Sequence, residues 1–275
     1  IMVRFPLKDG SASLLIWTTT PWTLAANMAV AAHPDMDYAR VKLSGDKGDE
    51  VVIVLEGQAE YVMQKGGYER FEILERMKGK DMEGLAYIPP FEVEAAPRSD
   101  RAWTVVTADY VENDNTGLVH TAPGHGPDDY ETGKRYGIAP FCPVSEAGRY
   151  TDEFPLLAGK KVKTVADDVI KMLDEKGLMF NVGKIKHRYG HCWRCKSPII
   201  YRNTRQWFVA VPEVKQEMLD EIDRIKWVPD WAGSTREKNW VEGAREWCIS
   251  RQRYWGIPMP VWECSCGARK VVGQY

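Results

Sequence analysis

Apolar and polar residues alternate in short runs over the first half of the chain, and this pattern predicts a β-rich fold. The runs are rich in Val, Ile, Trp and Thr, which favour a pleated, half-buried surface. Between the first two runs, Asp9-Gly10 supplies the positive φ values that a tight hairpin needs. Strands are predicted at Ile1–Phe5, Ser13–Thr20, Val51–Leu55, Trp103–Ala108 and Leu118–Thr121.

Helical periodicity is clearest in the second half of the chain. A short helix is predicted at Gly57–Lys65, ended by two glycines. A longer one is predicted at Thr164–Lys176, with Thr164 and Asp167 as a capping box and Gly177 as its end. Pro212 is predicted to open an amphipathic helix, since proline is favoured in the first turn.

A threonine-rich peptide, Leu15 to Leu24, ends the second predicted strand. Pro21 cannot donate to a sheet ladder, so the strand should end or bend there. Four threonine hydroxyls would then lie at a strand end, where they suit the lining of a small polar pocket. The alternative is that they belong to an ordinary strand. Asn27, just downstream, is either a structural clip or a ligand contact, because a buried amide needs partners.

A second informative stretch runs from Thr116 to Tyr130. A strand carrying His120 leads through a glycine-rich turn to Pro127, which is well placed to begin a helix. Asp128 and Asp129 then lie in the first helical turn, where the helix dipole favours carboxylates even without a function. The alternative is a concave corner in which the imidazole and one carboxylate bind a ligand ammonium group or assist proton transfer.

Composition and charge exclude several classes of protein. The 275 residues are 44% hydrophobic, with a net charge of −2, which gives no global attraction to nucleic acid. No apolar run approaches about 18 residues, so no membrane span and no membrane partner are expected. No signal peptide is evident at the start, which looks like the middle of a strand. We therefore expect a cytoplasmic protein and a piece excised from a longer chain.

Cysteines and basic residues mark the region after residue 183. Lysines and arginines there are interleaved with aromatic residues. Residues 183–212 contain no Asp or Glu. This suits a phosphate backbone with exposed bases, or equally a solvated loop around a metal knuckle. Four cysteines form a C-x-x-C and a C-x-C, and these pairs are expected to bind structural zinc. They are Cys192, Cys195, Cys264 and Cys266.

Three stretches together resemble the isoleucyl-tRNA synthetases of class I. They are Trp17-Thr-Thr-Thr-Pro-Trp-Thr23, His120-Thr-Ala-Pro-Gly-His-Gly-Pro-Asp-Asp129 and Ile249-Ser-Arg-Gln-Arg-Tyr-Trp-Gly256. The sister valyl and leucyl enzymes carry an arginine within the threonine-rich peptide, which is absent here. The class I catalytic signatures, of the His-Ile-Gly-His and Lys-Met-Ser-Lys-Ser types, are also absent. The resemblance therefore implies the inserted editing domain, with ATP used only by the full-length enzyme.

The resemblance also implies roles for particular residues. Thr18, Thr19, Thr20 and Asp129 would be catalytic, with Asp129 gripping the α-ammonium of a misattached valine. Thr23, Asn27 and His120 would bind the substrate, and His120 would limit the size of the side-chain pocket. Trp255 would lie near the amino-acid activation site. In the family, each cysteine pair generally joins cysteines outside this segment, which would complete the zinc sites.

These observations predict an α+β fold. Residues 1–183 would form a mixed-sheet or barrel-like editing domain with peripheral helices. Residues 184–275 would form a return segment with a zinc knuckle and helices, leading into an absent catalytic domain. The predicted function is hydrolysis, by an activated water, of tRNA(Ile) charged with valine, the partners being that tRNA and the rest of the synthetase. The alternatives are a deacylase of different specificity and a non-catalytic, zinc-dependent tRNA-binding module.

Overall fold

The computed structural model describes residues 1–45, 49–251 and 256–273. The chain divides into two compact units, Ile1–Asn203 and Thr204–Tyr275. The first unit therefore holds residues 184–203, which the sequence analysis assigned to the return segment. The functional boundary at residue 183 stays a prediction.

The first unit is a mixed α/β structure. Its three helices are α1 (Ala59–Gly66), α2 (Pro127–Tyr136) and α3 (Ala166–Glu175). Its nine strands, among the described residues, are β1 (Met2–Pro6), β2 (Ser13–Trp17), β3 (Ala29–Ala32), β4 (Asp37–Leu43), β5 (Glu50–Leu55), β6 (Phe71–Lys78), β7 (Val105–Thr107), β8 (Leu118–Thr121) and β9 (Met179–Asn181).

Six of these strands form the larger sheet, in the order β6-β4-β5-β2-β1-β9. β1 and β2 pair as the predicted hairpin, with Gly10 at φ +73° in its turn. β2 lies inside the sheet and pairs with β5 in parallel. Its run Leu14-Leu15-Ile16 is fully buried, with alternate side chains in two different core clusters. A strand buried on both faces has a continuous apolar run, and this one positions the threonines that follow it.

The smaller sheet has the order β7-β3-β8. β3 pairs with β8 antiparallel, and this register places His120 opposite Val30. The main core cluster joins residues of both sheets, among them Ile16, Val30 and Leu118. Both sheets end in open edges, so the described residues form no closed barrel, and the barrel-like description was wrong. The mixed-sheet part of the prediction is confirmed.

The second unit is smaller, and its elements are short. They are β10 (Phe208–Val209), α4 (Val211–Arg224), a π-helical segment (Ala232–Glu237), α5 (Lys238–Glu242), β11 (Trp247–Cys248), β12 (Val261–Glu263) and β13 (Arg269–Val271). The strands pair as β10 with β11 and β12 with β13. Pro212 lies in the first turn of α4, as predicted. No helix in the described parts of the chain has the length and apolarity to cross a membrane.

Candidate active site

The threonine-rich peptide turns from strand to helix earlier than its composition predicts. β2 ends at Trp17, and a 3-10 helix, Pro21–Ala26, begins directly at the proline. The Thr20 main-chain N–H donates to the Thr18 hydroxyl over 3.1 Å instead of to a neighbouring strand. The prediction of a strand to Thr20 was wrong by three residues, because this local bond replaces the ladder.

A chain of hydrogen bonds joins three of the four threonine hydroxyls. The Thr18 and Thr20 hydroxyls lie 3.3 Å apart, and those of Thr20 and Thr23 lie 3.2 Å apart. The Thr23 hydroxyl also donates to the Thr20 carbonyl over 2.8 Å. Thr18 and Thr23 are buried, whereas Thr19 is exposed.

His120 connects this peptide to the second motif. Its Nε2 lies 2.9 Å from the Thr23 hydroxyl. Because the Thr23 proton is already donated to a carbonyl, which only accepts, the imidazole must donate here through Nε2–H. Burial lowers the pKa of His120 to about 4, so the ring is neutral at pH 7. Its Nδ1 is then a bare acceptor, and no group in the described residues hydrogen-bonds to it.

Asp129 folds back onto the loop that precedes α2. Its Oδ2 accepts a hydrogen bond from the Ala122 main-chain N–H over 3.1 Å. Burial raises the pKa of Asp129 to about 6, against the lowering effect of this bond, and the adjacent Asp128 raises it further. Asp128 itself is exposed, so the two carboxylates face different surroundings. Since Ala122 comes two residues after His120, the end of β8 anchors both the imidazole and the carboxylate.

Two glycines let the loop reach this conformation. A Cβ on Gly124 would lie 2.0 Å from the Phe141 carbonyl oxygen, which no side chain could tolerate. A Cβ on Gly126 would lie 2.9 Å from Asp129 Oδ2. Pro127 begins α2 and Gly137 ends it at φ +67°, as predicted. The glycines therefore allow the carboxylate to lie against the loop.

Asn27 is engaged by the protein itself. Its side-chain nitrogen donates to the Ala29 carbonyl over 2.9 Å, and its side-chain oxygen accepts from the Tyr87 hydroxyl over 2.6 Å. The Trp103 indole donates to its main-chain carbonyl over 3.1 Å. Trp103 holds a φ of +56°, which is why the predicted strand at 103–108 is reduced to Val105–Thr107. These contacts are those of a structural clip, and a ligand contact by Asn27 stays a prediction.

A groove of about 650 Å³ lies beside the threonine-rich peptide. Thr18 and Thr19 line it, with the aromatic rings of Trp17 and Tyr61. Its polar and charged lining residues include Lys65, Asn115, Asp167, Asn181, Lys184 and His187. The basic segment singled out in the sequence therefore reaches the threonine-rich peptide within the first unit.

Three residues of this region had no role in the sequence analysis. The Tyr110 phenol lies 3.4 Å from the Thr132 hydroxyl of α2, and its pKa is raised by burial and by Asp129. The Trp22 and His125 rings meet edge to face, with centroids 5.0 Å apart. Trp22 and His125 stand inside the quoted motifs, whereas nothing in the sequence places Tyr110 near Asp129.

The cysteine pairs occur as two separate half-sites. Cys192 and Cys195 lie on a tight turn in which the Lys196 N–H donates to the Cys192 carbonyl over 2.8 Å. Hydrogen bonding from Ser197, and then from Cys192, lowers the pKa of Cys195 to about 7. Cys264 and Cys266 interact similarly, and the pKa of Cys264 is lowered. Within the described ranges, no three His, Cys, Asp or Glu side chains are grouped to hold a metal ion.

Trp255 lies outside the residues that the structure describes. The expected place of Trp255 near an activation site therefore stays a prediction.

A model of the class I tRNA synthetases (I, L, M and V) matches residues 11–272. The chain belongs to this family. It is 51% identical over 275 residues to an isoleucine–tRNA ligase of Archaeoglobus fulgidus, covering 99% of this chain and 27% of that protein. It is 50% identical over 275 residues to the isoleucine–tRNA ligase of Methanothermobacter thermautotrophicus, covering 99% of this chain and 26% of that protein.

The chain thus spans about a quarter of the length of the curated relatives it matches. Among solved structures, the crystal structure of GlLeuRS-CP1 overlaps with a TM-score of 0.48 at 15% identity. That overlap covers 66% of this chain and 99% of the other. A likeness of this size says nothing about function.

Proposed function

We propose that the first unit is an editing domain that hydrolyses the ester of tRNA(Ile) misacylated with valine. The observation that carries the proposal is the bond between His120 and Thr23, which brings the two motifs into one site. The proposal places the threonine hydroxyls, the neutral imidazole and the carboxylate anchored near the end of β8 in one polar site. The high identity to isoleucine–tRNA ligases supports the choice of tRNA.

The proposed reaction needs no covalent intermediate. A water attacks the ester carbonyl, the carbon–oxygen bond to the ribose breaks, and the ribose oxygen takes up a proton. Asp129 in its ionised form holds the α-ammonium group of valine, as a charge-assisted hydrogen bond. The hydroxyls of Thr18 and Thr20 both donate and accept, so they suit a water and an ester oxygen in turn.

Specificity comes from pocket size under this proposal. A hydrophobic synthetic pocket cannot strongly reject a side chain that lacks one methylene, and isoleucine and valine in this family are the standard example. A second, smaller site that admits only valine removes the error. His120 is held in place through Nε2 by Thr23, which makes its ring a rigid wall for such a pocket.

The groove beside Thr19 is proposed to receive the 3′ end of the tRNA. Lys65 and Lys184 offer charge to phosphates, and Trp17 and Tyr61 offer rings on which bases stack. The groove adjoins Thr18, so a bound strand would end near the hydroxyl cluster. This supports tRNA as partner, in a longer synthetase chain.

Structural zinc remains a proposal for the two cysteine pairs. The turn at Cys192 and Cys195 presents two thiols together, and the lowered pKa of Cys195 favours the thiolate that zinc binds. Each pair offers two of the four ligands of a closed tetrahedral site, so the other two would come either from the second pair or, as the family resemblance implies, from cysteines outside this chain. Zinc there would stabilise the fold and take no part in hydrolysis. Metal content of the full-length synthetase, with Cys192→Ser as the variant, tests this proposal.

Asp129→Asn, with Asp128→Asn as the matched control, tests the function in the full-length synthetase. Loss of the charge should slow valine release from Val-tRNA(Ile) by about 10- to 100-fold, the size of a hydrogen bond to a charged group. Asp128→Asn should change it less than about twofold, because Asp128 is exposed. Intact tRNA binding with no valine release by the wild type would favour a binding module instead.

A further inference from the structure

Two hydrogen bonds tie the loop before α2 to a segment about 80 residues later in the chain. The His125 Nδ1 lies 3.0 Å from the Tyr201 carbonyl oxygen, a separation of 76 residues. The Asn203 main-chain N–H donates to the Gly124 carbonyl over 2.8 Å. Both contacts lie within the first unit, and the second unit begins at the next residue.

His125 is buried and its hydrogen-bonding role is fixed. A carbonyl oxygen only accepts, so Nδ1 carries the proton and donates it to Tyr201. Burial lowers the pKa of His125, and the nearby Arg202 guanidinium adds to this, so the ring is neutral at pH 7. The ring also packs edge to face on Trp22, the residue before Thr23 in the chain.

The same loop holds Asp129. The Ala122 carbonyl accepts from the His125 main-chain N–H over 2.8 Å, while the Ala122 N–H donates to Asp129 Oδ2. The loop has no strand or helix of its own, and its glycines leave the backbone free in the unfolded chain. Besides the bond within the loop from the His125 N–H to the Ala122 carbonyl, two hydrogen bonds join the loop to Tyr201 and Asn203 and help to fix its conformation.

We propose that His125 is a positioning residue, which holds the Ala122–Gly126 loop against Tyr201–Asn203 and thereby orients the Asp129 carboxylate. His125 does not touch the reacting atoms. The segment that leaves the first unit thus sets the geometry of the site. The part that concerns catalysis rests on the proposed hydrolytic function, whereas the part that concerns the loop does not.

Two variants of His125 and a control variant at another histidine separate a positioning role from simple loss of side-chain volume. His125→Asn keeps an N–H donor near the Nδ1 position, and His125→Leu removes it while filling similar space. In the full-length synthetase, His125→Leu should lower kcat for valine release at least tenfold with KM changed less than twofold. His125→Asn should stay within about threefold of the wild type. His33→Leu, a histidine outside this site, should leave both constants unchanged.

Asn203 offers an independent arm. Asn203→Pro removes the N–H that bonds Gly124, whereas Asn203→Ala keeps it. Asn203→Pro should lower kcat as His125→Leu does. The double variant should be no worse than the worse of the two single variants, because residues that act as one unit have non-additive effects. Equal effects of Asn203→Pro and Asn203→Ala would contradict the proposal that the Asn203 N–H helps to hold the loop.

Hydrogen exchange measures the loop without any activity. The peptide that contains Ala122 to Gly126 should exchange at least tenfold faster in His125→Leu than in the wild type, and at near wild-type rates in His125→Asn. If His125→Leu and His125→Asn show the same exchange rate as each other and the same kcat as each other, the positioning role is overturned. If exchange separates them but the wild type releases no valine, the loop assignment stands and the hydrolytic function fails.

Discussion

The His120 imidazole donates through Nε2 to the Thr23 hydroxyl, joining residues 97 positions apart over 2.9 Å. Both residues are buried, and the Thr23 hydroxyl already donates its proton to the Thr20 carbonyl. The bond therefore sets the tautomer of the histidine and couples the smaller sheet to the end of β2.

Removing the Thr23 hydroxyl should destabilise the first unit. Thr23→Val conserves volume but leaves the buried Nε2–H of His120 unpaired, at a cost of about 1–3 kcal/mol in the free energy of unfolding. Thr19→Val is the matched control, because Thr19 is exposed and should change stability by less than about 0.5 kcal/mol. Urea unfolding of both variants measures this. Equal stabilities would show that the bond contributes nothing.

Asp129 should make the fold less stable as pH rises. Its pKa in the folded chain, about 6, lies above the ordinary aspartate value of 3.8, so the folded state binds the proton more tightly than the unfolded chain does. The contribution to stability is fully present below about pH 4 and is lost as pH rises through 6. Asp129→Asn should therefore raise the Tm at pH 7 and leave it nearly unchanged at pH 4. A Tm lowered at pH 7 would contradict the raised pKa.

Activity should also depend on the ionisation of Asp129, but it should rise as pH rises, whereas stability falls. The ionised carboxylate is the form that holds an ammonium group, so kcat/KM for valine release should fall tenfold per pH unit below about 6. His120, with a pKa of about 4, should not contribute to the profile above pH 5. An acid limb near pH 4 would mean that Asp129 keeps an ordinary pKa or is not required.

A methyl group at residue 126 should displace the carboxylate. The Cβ of Gly126→Ala would lie 2.9 Å from Asp129 Oδ2, while its φ of −148° suits any residue, so the effect is steric alone. Valine release should fall about tenfold or more. Gly57→Ala is the control, because a Cβ there meets nothing within 4 Å. Full activity in Gly126→Ala would place the working position of Asp129 elsewhere.

His120→Ala should enlarge the pocket and weaken its selectivity. Removal of the ring leaves space where an extra methylene fits, so isoleucine release from Ile-tRNA(Ile) should rise relative to valine release by roughly 10-fold or more. Val119→Ala, on the opposite face of the same strand, controls for damage to β8. An unchanged ratio would show that another side chain limits the pocket.

Local patterns in the sequence predicted most of the elements that carry the site. β8 is found at Leu118–Thr121, as predicted. α2 begins at Pro127 and is ended by Gly137, also as predicted. Asp9-Gly10 forms its hairpin. These features succeed because turn and cap chemistry acts over a few residues. The capping box of Thr164 is wrong, since its hydroxyl donates to the Lys161 carbonyl and α3 begins at Ala166.

Contacts between distant residues could not be predicted from the sequence. The motif suggested that Asp129 and not Asp128 faces inward, but its bond to Ala122 depends on how the loop closes. The link from His125 to Tyr201 and the place of Tyr110 beside α2 depend on sheet packing, for which a single sequence has no signal. The positive φ of Trp103 is imposed in the same way, by its bond to Asn27.

Single-turnover release of valine and of isoleucine from tRNA(Ile) by the full-length synthetase tests the central claim most directly. Valine should leave roughly 10- to 200-fold faster than isoleucine, the range that one methylene allows, and Asp129→Asn should slow valine release by about 10- to 100-fold. Equal release of both amino acids, or valine release unaffected by Asp129→Asn, would contradict it.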